Sequence, residues 1–186
     1  KHILGSEQTK HGEVAEHLEV NVRNAWAALK GQSEVATFDG VARTAPEDFI
    51  LDGIKYQSKF IKDPNSTLKH ILDHYGQYQD YSINYSMPKD QYKIIESIRS
   101  GQTPSNLNDK SIRSILQKVE EIERQTGRGF QDIVKPSVSN YSETQLGTVG
   151  ETVSKYQDQI VDENQRIQDE IQNDAKAVFV LLFLIL

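Results

Sequence analysis

The stretch Phe49-Ile50-Leu51-Asp52-Gly53-Ile54-Lys55-Tyr56-Gln57-Ser58-Lys59-Phe60 constrains this chain more than any other. Two runs of β-forming residues flank a single Asp-Gly pair, and Asp-Gly suits the positive φ angles that a two-residue type I′ hairpin loop requires. With Asp52 and Gly53 as the loop, the register follows: Leu51 faces Ile54, Ile50 faces Lys55, Phe49 faces Tyr56 and Asp48 faces Gln57. Opposed residues of an antiparallel pair share a face, as do residues two apart along one strand. Asp48, Gln57 and Lys59 are therefore expected on one side of the hairpin, with Asp52 at its tip.

Helical patterns surround this hairpin. Glu13 to Leu29 carries Val14, Leu18, Val22, Ala25 and Leu29 at spacings of three and four, and Lys30-Gly31 closes it with a cation and a C-cap glycine. A polar connection runs from Gln32 to Pro46. After Lys62-Asp63-Pro64, Asn65 or Ser66 is placed to cap a short helix, Thr67 to Tyr75, ended by Gly76. Asp80 to Met87 alternates apolar and polar residues with period two, the pattern of a half-buried strand. Pro88 opens a helix to Arg99, and Lys110 to Gln125 forms another, ended by Gly127. Beyond Arg128 the pattern weakens until a polar helix, Glu151 to Lys176, with sparse apolar positions. The expected fold is α/β: a central mixed β-sheet holding the hairpin and the Asp80 to Met87 strand, flanked by helices and followed by a long polar C-terminal helix.

A chain of 186 residues holds one domain of ordinary size with appendages. The organisation read from the pattern is a main domain over residues 1–145, a polar helical extension over 146–176 and an apolar tail over 177–186. The tail, Ala177 to Leu186, falls short of the roughly 20 apolar residues that span a bilayer as a helix. It reads as the opening of a membrane segment, a buried terminal helix or strand, or a non-native tail. The first residues, Lys1-His2-Ile3-Leu4-Gly5, show no long apolar run of a secretory signal. Cysteine is absent, which excludes disulfides, thiolate metal sites and a cysteine nucleophile, and fits a reducing, cytoplasmic address, with membrane association through the apolar end as the alternative. The net charge of −6 argues against a generic basic nucleic-acid coat, while leaving room for an enzyme that meets phosphate through a metal and a local basic patch.

A hard divalent cation, Mg²⁺ or Mn²⁺, takes oxygen ligands. Asp48 and the side-chain or backbone carbonyl at Gln57 are candidates, and Glu16 on the preceding helix is the candidate second carboxylate. Lys59, near the same spot, is suited to orienting an attacking water or offsetting charge on a pentavalent phosphate. Together these parts suit phosphodiester hydrolysis.

Asp48, eight intervening residues and then Gln57-Ser58-Lys59 resemble the signature of the PD-(D/E)xK nuclease superfamily, in a variant with Gln at the middle acidic position; Pro46-Glu47-Asp48 resembles its loosely kept Pro-Asp. The helix start His11-Gly12-Glu13-Val14-Ala15-Glu16, Asp48 to Phe60, and Met87 to Tyr92 are similar to an uncharacterised bacterial family with a nuclease-like N-terminal part followed by apolar segments. The resemblance covers roughly residues 10 to 145 and implies a restriction-endonuclease-like core, Mg²⁺ or Mn²⁺ as cofactor, and nucleic acid, DNA before RNA, as substrate. It also implies Glu16, Asp48, Gln57 and Lys59 as catalytic residues, the first three holding metal. Gln57 in place of the commoner acid removes one negative charge from that set. Should the turn not be the two-residue type, Asp52 replaces Asp48.

Taken singly, each piece has an ordinary reading: Asp52-Gly53 is a turn, Lys59 a solvated strand lysine, Glu16 a surface acid on a charged helix. His70 and His74, at helical spacing i, i+4, read as a solvated face or an auxiliary phosphate contact rather than a zinc pair, since no zinc-protease Glu accompanies them. Arg43, Lys55, Lys62 and Lys69 form either a cationic rim or scattered surface charge. Tyr75, Tyr78, Tyr81 and Tyr85 fit a core better than a base-stacking surface. Besides the nuclease, two further classes stand open: a non-catalytic interaction module on the same scaffold, and a membrane-tethered effector or defence protein.

Overall fold

The computed structural model describes residues 10–184, and the side chains up to Ala177. In chain order the elements are α1 (Lys10–Leu29), β1 (Ala36–Thr37), β2 (Phe49–Leu51), β3 (Ile54–Ser58), α2 (Pro64–Tyr78), β4 (Ile83–Met87), α3 (Lys89–Arg99), α4 (Asp109–Thr126), α5 (Phe130–Ile133), β5 (Val134–Pro136), a 3₁₀ turn (Tyr141–Thr144) and α6 (Val149–Leu184). The strands form one five-stranded mixed sheet in the order β1-β2-β3-β4-β5. β1, β2 and β3 pair antiparallel, and β3, β4 and β5 pair parallel. The protein is thus α/β, with helices flanking a mixed sheet and a long C-terminal helix.

The hairpin register is the expected one: Phe49 pairs with Tyr56, Ile50 with Lys55 and Leu51 with Ile54. Asp52 and Gly53 both adopt positive φ, 50° and 77°, as a type I′ turn requires. The parallel β3–β4 connection runs through α2, which packs Leu68, Ile71 and Tyr75 with Tyr85 and Met87 of β4 and with the apolar stripes of α3 and α4. A separate cluster joins Val20 of α1 to Phe49, Leu51, Tyr56 and Ala36. Tyr56 and its register partner Asn84 alternate with Tyr85 along the ladder, so the two clusters take opposite faces of the sheet.

α2 departs from its expected bounds. Asp63 caps it, its carboxylate accepting the Ser66 amide at 3.0 Å with Pro64 in the first turn. The helix passes through Gly76 and ends at a left-handed Gln79, because burial of His74 and Tyr75 holds the last turn against the core. β1 and β5 are short edge strands at positions without legible periodicity, and Pro136 in β5 obeys the confinement of proline to sheet edges. The open side of β1 is covered by Asn24 of α1, whose Oδ1 accepts the Val35 and Ala36 amides and whose Nδ2 donates to the Ala36 carbonyl at 2.7 Å. One side chain thereby imitates a neighbouring strand.

α6 is continuous through the expected boundary at residue 176 and begins inside the body: Tyr156 packs with Val14, Leu18 and Val22 of α1, and its hydroxyl donates to the Val138 carbonyl at 2.6 Å. No helix among the described residues is long and apolar enough to cross a membrane. Residues 1–9, 185 and 186, which include the start of the chain and the last two apolar positions, lie outside the described residues.

Glu19 of α1 is buried and fully employed. It accepts from Arg23 at 2.5 Å, from the Ser137 hydroxyl at 2.6 Å and from the Val138 amide at 2.8 Å, tying α1 to the segment after β5. Breaking a buried charged network leaves its partners uncompensated at about 3–5 kcal/mol. Glu19→Ala is expected to lower the urea-unfolding free energy by roughly 3 kcal/mol, whereas Ile171→Ala, at a position 63% exposed on α6, is expected to stay within about 0.5 kcal/mol.

Candidate active site

β2, β3 and α1 converge where the hairpin opens away from its turn. The Asp48 amide donates to the Tyr56 carbonyl at 2.7 Å, although Tyr56 already has Phe49 as its register partner. Two residues against one is the signature of a bulge, a device that re-aims side chains. Asp48 is accordingly not directly opposite Gln57, as simple register counting expects. Its carboxylate instead reaches along β3, accepting the Ser58 amide at 2.8 Å and the side-chain amide of Gln57. That Gln57 amide also donates to the Ser58 carbonyl at 3.2 Å, so the carboxylate, the amide and a backbone carbonyl form one contiguous set of polar atoms.

Lys59 follows directly after β3, its amide donating to the Ser86 carbonyl of β4 at 2.8 Å. Partial burial lowers its pKa from the ordinary lysine value, and the negative charges of Asp48 and then Glu16 oppose the fall. Both carboxylates therefore act electrostatically on one ammonium. Glu16, buried on α1, shares a cleft of about 610 Å³ with Asp48; Glu13, Phe38, Arg43 and Glu47 also line it. The four residues singled out from the sequence thus lie in one neighbourhood.

Asp52 does not join them. It sits at the exposed hairpin tip, donates its amide to Val35 at 2.7 Å and lines a different depression with Ser33 and Glu34. Of the bases considered for a cationic rim, Arg43 lines the cleft, Lys55 pairs with the lining residue Glu47 at 3.2 Å, and Lys69 pairs with Asp73 at 2.6 Å.

His74 departs from the solvated face expected for it. It is 8% exposed, while His70 one turn earlier is exposed. Its Nδ1 meets the Tyr85 hydroxyl at 3.0 Å, and its buried Nε2 finds no hydrogen-bond partner among the described residues. Burial first, and the nearby Lys59 ammonium second, hold its pKa down at about 4; the Pro46 carbonyl opposes this weakly, close by but outside hydrogen-bond geometry. The legible signal was that His74 falls on the stripe Thr67, Leu68, Ile71, Tyr75 that α2 buries. Glu47 was also missed as a separate residue. It is 8% exposed, shares one carboxylate oxygen with Lys55 and keeps the other buried without a hydrogen-bond partner among the described residues.

Among the described residues no three His, Asp or Glu side chains gather as a metal-binding group. A cation such as Mg²⁺ commonly takes one or two carboxylates and completes its shell with water and substrate oxygens. Glu16 and Asp48 would supply the carboxylates, with the Gln57 and Ser58 carbonyls adjacent. Comparison with known protein families, curated proteins and solved structures finds no match to this chain.

The buried histidine makes stability depend on acid. With its folded pKa below the ordinary 6.5, the unfolded chain binds the proton more readily, so stability is full above about pH 6.5 and falls as pH drops toward 4. Urea unfolding as a function of pH is expected to show a loss of up to about 3 kcal/mol across that window, and His74→Gln is expected to flatten it.

Proposed function

We propose that this protein is a divalent-cation-dependent nuclease that hydrolyses phosphodiester bonds, with DNA as the favoured substrate. The observation that carries the reading is the shared neighbourhood of Glu16, Asp48, Gln57 and Lys59, assembled from α1 and the open end of the β2–β3 hairpin, some thirty residues further along the chain. It agrees with the PD-(D/E)xK resemblance, whose residues these are, and a restriction-endonuclease-like core is consistent with the mixed sheet and its flanking helices.

Glu16 and Asp48 would hold Mg²⁺ or Mn²⁺, with the Gln57 carbonyl as a further donor once its amide turns over. A bound cation of this kind polarises the phosphate and lowers the pKa of its water. The protein supplies the rest. The bulge and the Ser58 amide fix the Asp48 carboxylate, which limits the reorganisation needed when charge develops. Lys59, with its lowered pKa, holds an N–H toward the attacking water or the phosphate oxygens. Tyr85 is the register partner of Gln57, and the buried His74 packs on Tyr85 behind it.

The Gln57 amide also satisfies Asp48 without any cation, which favours, as the second reading, a nuclease-like interaction module that has lost catalysis. Plasmid cleavage in Mg²⁺ separates the two. The wild-type chain is expected to nick or linearise plasmid, with Asp48→Ala and Lys59→Ala each slower by about 100-fold or more. Equal rates for all three, or no cleavage by any, would discard the hydrolytic reading. Gln57→Glu sets two carboxylates against each other and is expected to lower apo stability while tightening Mg²⁺ binding, seen as a larger rise of the thermal midpoint on adding Mg²⁺ than the wild-type chain shows.

A further inference from the structure

α6 carries one apolar seam from the body out into solvent. Val153, Ile160 and Ile167 recur every seven residues, and Gln157, Asn164 and Ile171 recur every seven between them, which is the d and a spacing of a coiled coil. Asp174, at the next d position, closes this run. The first part of the seam borders a groove of about 450 Å³ between α6 and α1, walled by Leu18, Val22 and Ala25 on one side and by Val153, Ile160 and Val161 on the other. α1 runs alongside α6 in the same direction. The His11 ring at its start lies 5.8 Å from the Tyr141 ring just before α6, and at its end Lys30 is, after Arg166, the cation that acts on Glu163. Thr152 and Tyr156 are buried toward the body, while Val153 and Val161 on the groove side stay 49% and 59% exposed.

Past Glu163 the helix has left the body. It continues to Leu184, roughly 30 Å further at the α-helical rise. Every side chain from residue 164 to residue 177 is exposed or half-exposed. The ion pairs there close within the helix, with Glu163 and Glu170 sharing Arg166. A helix is stabilised chiefly by packing one apolar face, and Asn164, Asp169, Asn173 and Asp174 are weak helix formers. Ile167 and Ile171 continue the seam where α1 no longer reaches it. Whatever covers it is long and helical and carries a matching apolar stripe.

We infer that the occupant is α6 of a second copy of this chain, the two helices running parallel as a two-stranded coil whose inner half also fills the groove beside α1. Asn164 and the flanking charges select this partner and this direction. Asn164 holds a central a position, and across a parallel two-fold axis it meets its own counterpart, so the two amides satisfy each other. Such a pair fixes register and direction at some cost in stability. Glu163 and Glu170 border the seam on one side, Gln168 and Ala175 on the other. In a parallel pair the acidic side of each helix faces the neutral side of its partner, and Glu163 reaches the Gln168 amide. In an antiparallel pair a faces d, and Asn164 would meet Val153, Ile160, Ile167 or, in one register, Asp174. That last register brings Glu170 beside its own copy, acid against acid, with the one Arg166 of each helix already shared.

The chain has no cysteine, so single substitutions in the full chain report neighbours directly. Ile160→Cys, Ile167→Cys and Ile171→Cys are each expected to give a disulfide-linked dimer on mild oxidation, because every seam position meets itself across a parallel axis. Asp169→Cys, on the outer face, is expected to stay unlinked. Sedimentation equilibrium is expected to show twice the mass of one chain, with Ile167→Asp weakening association about 100-fold or more and Asp169→Ala leaving it unchanged. The body has its own core, so these changes are read in association and not in the unfolding of dilute protein. Linkage at one of the three seam positions alone, or at none, overturns the parallel coil. A monomer at every concentration overturns it as well, as does association that is indifferent to Ile167→Asp, which would place the contact on another surface.

Discussion

The arrangement depends on a turn of two residues. Asp52 and Gly53, both at positive φ, connect β2 and β3 without slack, and that fixes which residue of one strand meets which residue of the other. A slip of one position would exchange every inward side chain for an outward one, placing Phe49 and Tyr56 in the wrong layer and removing Gln57 from Asp48. The stacked pair Phe49 and Tyr56, with ring planes 6° apart, and their burial against α1 make any other register costly. The bulge at Asp48 then adds the one irregularity, turning a carboxylate along the strand where regular pairing would have sent it across.

Around this hairpin the acids of α1 and β2 differ according to what compensates them. Glu19 is buried against an arginine, a hydroxyl and an amide, and serves the fold. Glu16 and Asp48 act electrostatically on the half-buried Lys59 and oppose the fall in pKa that its burial causes. Glu47 has Lys55 for one oxygen and, among the described residues, no hydrogen-bond partner for the other.

The sequence made much of this legible, for reasons that differ between elements. α1, α3 and α4 carry long apolar stripes and were readable to within a few residues at each end. The hairpin was readable because Asp-Gly has few other uses between two β-forming runs. β1 and β5 were not: two or three residues carry no period, and both exist because a neighbour pairs with them, Asn24 supplying the outer partner for β1. Gly76 looked like a stop and is not one, since tertiary burial of His74 and Tyr75 outweighs the propensity cost of a mid-helix glycine, about 1 kcal/mol. At the site, Gln57 and Lys59 follow from strand alternation. Glu16 came from the resemblance, since a helical acid gives no clue to the strand it will face. Phe38 and His74 were hidden for the same reason, their partners being remote in sequence.

The central claim is positional: a divalent ion settles between Glu16 and Asp48 and nowhere else on an acidic surface that offers many carboxylates. Paramagnetic Mn²⁺, added well below stoichiometry to ¹⁵N-labelled protein, broadens the amide resonances nearest to where it binds. The Ser58 and Asp48 amides are expected to fade first, with those of the α1 turn around Glu16, and to persist when the titration is repeated on Asp48→Ala. Broadening that begins on the acids of α6, or that is unchanged by Asp48→Ala, would contradict the account.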